Sequence, residues 1–143
     1  MTTEFHTAFQ RLQQAGKDGR TENVRYRQNE LYALHSALRE NLEIIQEAIT
    51  EDYAGSREKA ETEVFLVLDA VQKSYDSLDF EKSLEHEYLV KFGKNNTERR
   101  APTGLVTIWP SKHSRFYSVM VALAAAIEAE NCVVVVVGIL LFS

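Results

Sequence analysis

The second half of the sequence contains a strand–helix–strand pattern that restricts the possible folds more than any other feature. Residues 105–109 (LVTIW) and 132–137 (CVVVVV) are short, apolar and rich in β-branched side chains, so both stretches predict buried strands. The alanine-rich stretch between them, residues 114–129, predicts a helix. A strand, a helix and a second strand at this spacing form a βαβ unit. The two strands of such a unit are parallel and joined by a right-handed crossover.

Apolar residues recur at helical spacing through the first two-thirds of the chain. The first pattern predicts a helix that ends at Gly16, because glycine often terminates helices. A second, amphipathic pattern stops near Gly55 and fits one half-buried helix or two. Ser56 is predicted to cap the helix that comes next. In chain order, the apolar positions of the three patterns are Phe5, Phe9 and Leu12; Leu31, Leu34, Leu38, Leu42, Ile45 and Ile49; and Val64, Leu68, Val71, Tyr75 and Leu78.

The pattern changes after about Leu84. Residues 88–92 (YLVKF) favour a β-strand, and the GKNN stretch at 93–96 is typical of a turn. We therefore predict a helical part, residues 1–84, and a strand and βαβ part, residues 85–143. Both belong to a single domain, because neither part could bury a sizeable core by itself. The predicted fold class is α/β, or α+β in a strict classification, with an N-terminal helical bundle packed on a small, partly parallel sheet.

Composition and charge argue against several functions. The net charge is −5, and no stripe of lysine and arginine is interleaved with aromatic residues, which argues against nucleic-acid binding. The N-terminus lacks a basic region followed by an apolar one, and the most apolar stretch, residues 133–142, has about half of the ~20 residues that a membrane span needs. The one cysteine, Cys132, fits a buried, inert thiol in a reducing compartment. His6, His35 and His86 lack metal-ligand spacing. We expect a cytoplasmic protein with no nucleic-acid, membrane or metal partner.

Several segments resemble the N-terminal part of the aldehyde dehydrogenase superfamily in order and spacing. Residues 27–41, 49–56 and 60–64 are similar to the opening helices of its shorter, class-3-like members. Pro102-Thr-Gly-Leu-Val-Thr-Ile108 is similar to the family strand P-x-G-V-V-x-x-I, and residues 122–134 (ALAAAIEAENCVV) are similar to P-L-x-x-A-I-A-A-G-N-C-V-V. The resemblance covers almost the whole chain. It implies that the strand–helix–strand pattern begins a Rossmann-like, NAD-binding domain.

The resemblance also implies which functional residues of the family this chain lacks. The family motif P-W-N-Y-P, whose Asn donates a hydrogen bond to the oxyanion, is matched by Ser111-Lys-His-Ser-Arg115, with His113 at the Asn position. The family motif K-P-S, whose Lys helps to hold the adenosine ribose, is matched by Val136-Val-Gly138. The family's Gly-rich segment, general-base Glu and nucleophilic Cys match positions beyond Ser143. We therefore expect a truncated relative that uses no cofactor and transfers no hydride.

The loop at residues 111–115 is the candidate site. It joins a predicted strand to a helix N-terminus, where backbone N–H groups and the helix dipole favour anions. His113 is the candidate acid–base group, and Lys112 and Arg115 are expected to hold an anionic or enolate oxygen. The candidate substrate-binding residues are Trp109, Ser111 and Ser114. The alternative is that Ser111 or Ser114 only caps the helix, and that the charged side chains are solvated.

Two further features depart from the family pattern. Glu128 and Glu130 replace a small residue and the Gly that would end the helix. Negative charge is unfavourable at a helix C-terminus, and relaxed constraint explains these residues as well as a new catalytic role does. The apolar tail, residues 133–142, continues where the family turns polar. We expect either the N-terminal helices or a second copy of the chain to cover it, and we predict a homo-oligomer.

Three functions fit these observations. The first is a cofactor-independent catalyst of isomerisation, cyclisation or condensation, acting on a small carbonyl-containing metabolite through His113. The second is a non-catalytic binding or subunit protein that associates with itself or with a full-length relative. The third is a degenerate fragment without a biochemical role, for which the altered tail is the main support.

Overall fold

The structure, a computed structural model, describes residues 3–19, 21–94 and 101–136. Within these ranges the chain is mostly helical and contains a small parallel sheet, so the predicted α/β class is confirmed. None of the described helices is long and apolar enough to cross a membrane. In chain order the elements are α1 (Thr3–Lys17), α2 (Val24–Glu40), α3 (Leu42–Asp52), α4 (Arg57–Asp76), α5 (Phe80–Lys91), β1 (Leu105–Ile108), α6 (Arg115–Glu128) and β2 (Cys132–Val135).

The predicted βαβ unit is confirmed by β1, α6 and β2. The two strands pair in parallel, with Leu105 opposite Cys132 and Ile108 opposite Val135. Two backbone hydrogen bonds frame the pair, from Cys132 N to Gly104 O at 2.8 Å and from Val136 N to Ile108 O at 2.9 Å. Helices α1 and α6 both contact the two strands. The thiol of Cys132 is buried as expected, and the tail from residue 137 onward lies outside the described residues.

The main core lies where α6 packs against the N-terminal helices. Its most extensive helix–helix contact is between α4 and α6, and α4 also packs against α2 and α3. Leu31, Val67, Val71 and Ala124 are each at most 1% exposed in this core. Burying such apolar side chains supplies the main favourable free energy of folding. Because Ala124 has only a methyl group, α6 can approach α4 closely at this point.

The strand predicted for residues 88–92 is wrong, because these residues form the end of α5 and its C-cap, Phe92. The carboxylate of Asp79 caps the start of this helix by accepting hydrogen bonds from the N–H groups of Glu81 (2.9 Å) and Lys82 (3.1 Å). An aspartate cap followed by good helix formers outweighs the β-propensity of a short apolar run. The helical part of the chain therefore extends to Lys91.

The other helix boundaries agree with the sequence patterns. Helix α1 ends at Lys17, one residue beyond the predicted Gly16. The long apolar pattern before Gly55 forms two helices, separated at Asn41, whose side-chain amide donates to Ala37 O at 2.8 Å. An asparagine side chain that bonds to the backbone in this way competes with the helical ladder. Ser56 occupies the N-cap position of α4, although its side chain makes no capping hydrogen bond.

A buried arginine, Arg27 on α2, joins the N-terminal helices to the end of α6. It is 4% exposed, and its guanidinium donates hydrogen bonds to Glu128 O at 2.6 Å and to the Glu130 carboxylate at 2.8 Å. The Thr21 hydroxyl donates to Glu130 O. Burial lowers the pKa of Arg27, and the charges of Glu130 and Glu128 oppose that shift. From the sequence, relaxed constraint was an adequate explanation of Glu130, whereas the structure places this residue in an ion pair.

Replacing Ala124 with leucine is expected to destabilise the protein by about 2 kcal/mol, because added methylenes in a packed core force neighbouring elements apart. The free energy of unfolding in urea measures this effect. Ala125→Leu is the matched control, since Ala125 is the adjacent alanine of the same helix and is exposed. It is expected to change the free energy of unfolding by less than about 0.5 kcal/mol. Equal effects of the two substitutions would contradict the close packing of α6 on α4 at Ala124.

Candidate functional site

Hydrogen bonds that involve hydroxyl groups fix the loop between β1 and α6. Ser114 is the N-cap of α6, with a left-handed backbone (φ 50°), and its side chain makes no capping bond. Its Oγ instead lies 2.8 Å from Oη of Tyr53, the residue that ends α3. The Ser118 hydroxyl accepts a hydrogen bond from Ser111 N at 3.1 Å, and Ser111 Oγ donates to His113 O. Ser111 and Ser114 therefore fix the loop instead of capping the helix through their side chains.

A carboxylate from another helix occupies the start of α6. Glu63 of α4 is 6% exposed, and its Oε1 accepts a hydrogen bond from Tyr117 N at 2.8 Å. This N–H belongs to the first turn of α6, where it has no intrahelical acceptor and where the helix dipole favours a negative charge. The other oxygen, Oε2, is buried and has no hydrogen-bond partner among the described residues. Sequence reasoning missed Glu63, because it lies 54 residues from Tyr117 and no local pattern connects the two.

A small cavity of about 130 Å³ opens beside this carboxylate. Its walls come from the end of α3, from α4 and from the loop and first turn of α6. The lining residues are Ile49, Asp52, Tyr53, Glu63, Lys112, His113, Ser114, Arg115 and Phe116. A wider groove of about 680 Å³ continues from it and shares Tyr53, Glu63 and Ser114. The cavity thus combines two carboxylates, two cationic side chains, an imidazole and two hydroxyl groups.

The structure brings together four of the six residues that the sequence placed in the site. Lys112, His113, Ser114 and Arg115 line the cavity. The two others, Trp109 and Ser111, are not among its lining residues, and the Trp109 side chain is 68% exposed. Trp109 follows Ile108, the last residue of β1 and the one buried residue of that strand, and its own side chain faces solvent.

Tyr53 contributes a protonated hydroxyl group to the cavity. The neighbouring carboxylate of Glu63 raises the pKa of Tyr53 above its ordinary value of 10.0, whereas the hydrogen bond with Ser114 acts in the opposite direction. A phenol next to a carboxylate resists ionisation, because only the protonated phenol can donate a hydrogen bond to the carboxylate and because the phenolate would add a second negative charge. Tyr53 therefore stays a hydrogen-bond donor throughout the neutral pH range.

No group of three or more His, Cys, Asp or Glu side chains in residues 3–19, 21–94 and 101–136 is arranged to hold a metal ion. The side chains that line the cavity have acid–base and electrostatic chemistry of their own. They can exchange protons through imidazole and phenol, and they can stabilise negative charge through Lys112 and Arg115.

Comparison with known proteins identifies the family. The model of the aldehyde dehydrogenase family matches residues 2–136. Over 138 residues the chain is 31% identical to aldehyde dehydrogenase family 3 member B1 of Mus musculus. The chain belongs to the aldehyde dehydrogenase family. This match covers 91% of the chain and 28% of the length of that relative. No solved structure gives a significant match.

The family resemblance implies one position in β2 and its extension at which other members contact the cofactor. Under that resemblance, Val136 matches the Lys that helps to hold the adenosine ribose. Its side chain is half-buried and apolar, and its N–H donates to Ile108 O at 2.9 Å in the sheet. Valine has no side-chain group that can donate a hydrogen bond to a ribose hydroxyl. His113, which the resemblance matches to the Asn that donates to the oxyanion, is exposed and lines the cavity.

Tyr53 is expected to remain mostly protonated at pH 10. Replacing Glu63 with glutamine removes the negative charge and should lower the pKa of Tyr53 towards its ordinary value of 10.0. Nuclear magnetic resonance of ¹³Cζ-labelled tyrosine across a pH titration measures this pKa, and Tyr53→Phe assigns the signal. If Tyr53 ionised below pH 10 in the unaltered chain, the geometry of this part of the cavity would be wrong.

Proposed function

We propose that the chain is a non-redox member of its family that catalyses proton transfer on a small carbonyl-containing metabolite, in an isomerisation, cyclisation or condensation. The observation that carries this proposal is the cavity at the start of α6, where an imidazole, a protonated phenol and two cationic side chains line one space. Such a set can form and stabilise an enolate without any cofactor.

His113 is the proposed acid–base group. Its imidazole removes a proton from the carbon next to the carbonyl, and the electron pair of the broken C–H bond moves onto the carbonyl oxygen to form an enolate. The imidazolium then returns the proton to carbon or oxygen, so the reaction needs neither an oxidant nor a reductant. Imidazole suits both steps because one of its nitrogens can accept a proton and then return it.

The enolate oxygen is proposed to be stabilised by Lys112 and Arg115, and by the hydroxyl group of Tyr53. Lys112 and Arg115 flank His113 along the chain and line the same cavity. Tyr53 supports this role because Glu63 holds its pKa above the ordinary value, so that it donates a proton in a hydrogen bond. Charged and hydrogen-bonding groups that are fixed before the reaction stabilise developing charge at little reorganisation cost.

His113→Ala is expected to slow the reaction by about 10²–10⁴-fold, the usual contribution of one acid–base group, with little change in melting temperature because His113 is exposed. The assay follows exchange of α-protons of pyruvate, of levulinate and of 5-aminolevulinate, a keto acid that also carries an amine, in D₂O by nuclear magnetic resonance, without nicotinamide cofactor. His35→Ala, on α2 and away from the cavity lining, is the control and should exchange at the unaltered rate. Exchange that is absent, or equally fast in His113→Ala, would refute the proposed mechanism.

The chain is expected to bind NAD or NADP negligibly, because Val136 replaces the residue that contacts the ribose in the family. Calorimetric titration with each nucleotide at millimolar concentration measures this directly. A dissociation constant in the micromolar range would show that the chain retains a dinucleotide site, and the non-redox proposal would then fail.

A second candidate function is that of a subunit that associates with another copy of the chain or with a full-length relative. The observation in its favour is the apolar surface of α5, a helix without a buried residue. Leu84, Tyr88 and the C-cap residue Phe92 are each more than half exposed there. Exposed apolar surface of this kind is typical of interaction sites.

If α5 forms such an interface, light scattering is expected to give twice the chain mass of 16.3 kDa. Leu84→Asp should return the particle to a monomer, because it places a charge in the apolar contact. Ile44→Asp is the control, since Ile44 is 68% exposed on a different helix, α3, and its replacement should leave the mass unchanged. A monomer at all micromolar concentrations would exclude self-association through α5. Leu140, in the apolar tail, lies outside the described residues.

A further inference from the structure

Only one of the two oxygens of the Glu63 carboxylate has a hydrogen-bond donor among the described residues. One oxygen accepts the hydrogen bond from Tyr117 N, while Oε2 is buried without a hydrogen-bond partner in the described part of the chain. A buried charged oxygen that has lost its water costs free energy unless a donor replaces that water. Glu63 lines both the cavity and the groove that continues from it. The missing donor can therefore come from a molecule that enters the cavity.

The charges around the cavity indicate which kind of donor this is. Asp52 and Glu63 supply two negative charges, and Lys112 and Arg115 supply two positive ones. A molecule that carries one positive and one negative group leaves this balance unchanged. A cationic donor such as an ammonium group both donates to a buried carboxylate and neutralises its charge, which a neutral donor cannot do.

The volume limits the size of the molecule. A cavity of about 130 Å³ is close to the roughly 150 Å³ that accommodates benzene in an apolar protein interior. Such a space holds about six non-hydrogen atoms, enough for an ammonium and a carboxylate joined by a short carbon chain.

We infer that the cavity binds a small zwitterion, whose ammonium group donates to Oε2 of Glu63 and whose carboxylate faces Lys112 and Arg115. This inference rests on the site of the proposed function and narrows its substrate to carbonyl compounds that also carry a protonated amine. Glu63 is then a binding residue for the amine, in addition to its contact with the start of α6.

The test uses β-alanine as the probe, titrated into the full chain and followed by ¹H–¹⁵N nuclear magnetic resonance. Binding is expected to shift the amide signals of the first turn of α6. Propionate, which lacks the amine, and 3-hydroxypropionate, which replaces it with a hydroxyl, are expected to bind at least tenfold more weakly. Equal binding of either analogue, or no binding of β-alanine, would overturn the inference.

Glu63→Gln supplies the variant arm. Glutamine retains an oxygen that can accept from Tyr117 N but loses the charge, so β-alanine should bind at least tenfold more weakly. Glu61→Gln is the matched control, because Glu61 lies on the same helix, is exposed and pairs with Arg57 at 2.9 Å. Its replacement should leave binding unchanged. If Glu63→Gln fails to fold, the comparison of β-alanine with its analogues on the unaltered chain decides the question.

This titration measures binding and not turnover, so the two proposals can fail separately. Amine-dependent binding without His113-dependent proton exchange would uphold the zwitterion site and refute the proposed catalysis. Proton exchange that depends on His113, without amine-dependent binding, would uphold the proposed catalysis and refute the zwitterion site.

Discussion

The contact of Arg27 with the end of α6 is the interaction on which the arrangement of the fold depends. A fully charged guanidinium is costly to bury, and in this protein it is compensated by a helix-terminal carbonyl and a carboxylate. At the opposite end of α6, the carboxylate of Glu63 accepts a hydrogen bond from the N–H of Tyr117. A cation thus lies at the C-terminus of the helix and an anion at its N-terminus, which is the favourable pairing with the helix dipole. Both partners come from the N-terminal helices, so the two contacts position the βαβ unit against them.

The candidate site follows from this arrangement. The cavity exists because α4 presents Glu63, and the end of α3 presents Tyr53, to the first turn of α6. The apolar contact of α4 with α6 sets the distance between these groups. Core packing and the polar contacts at the ends of α6 together form the cavity. In it, His113 lies near the phenol of Tyr53 and the carboxylate of Glu63.

Much of the fold could be predicted from the sequence, because it depends on local patterns. The apolar periodicity identified the helices before α5, and the strand–helix–strand spacing identified the parallel pairing of β1 with β2, though not its register. The error at residues 88–92 arose because a short β-favouring run was given more weight than the cap at Asp79. The site was predicted only in its loop residues. Tyr53 lies 61 residues from Ser114, and Arg27 lies 103 residues from Glu130. Such contacts are set by helix packing, and one sequence carries no local signal for them.

The central claim is that Arg27 and Glu130 hold the end of α6 through a direct interaction. A double-mutant cycle in urea tests this most directly, using Arg27→Met, Glu130→Gln and the two together. Residues in one buried network couple by about 0.5–3 kcal/mol, and we expect a coupling of at least about 1 kcal/mol in the free energy of unfolding. Effects that add within about 0.3 kcal/mol would mean that the two side chains do not interact, and would contradict this claim.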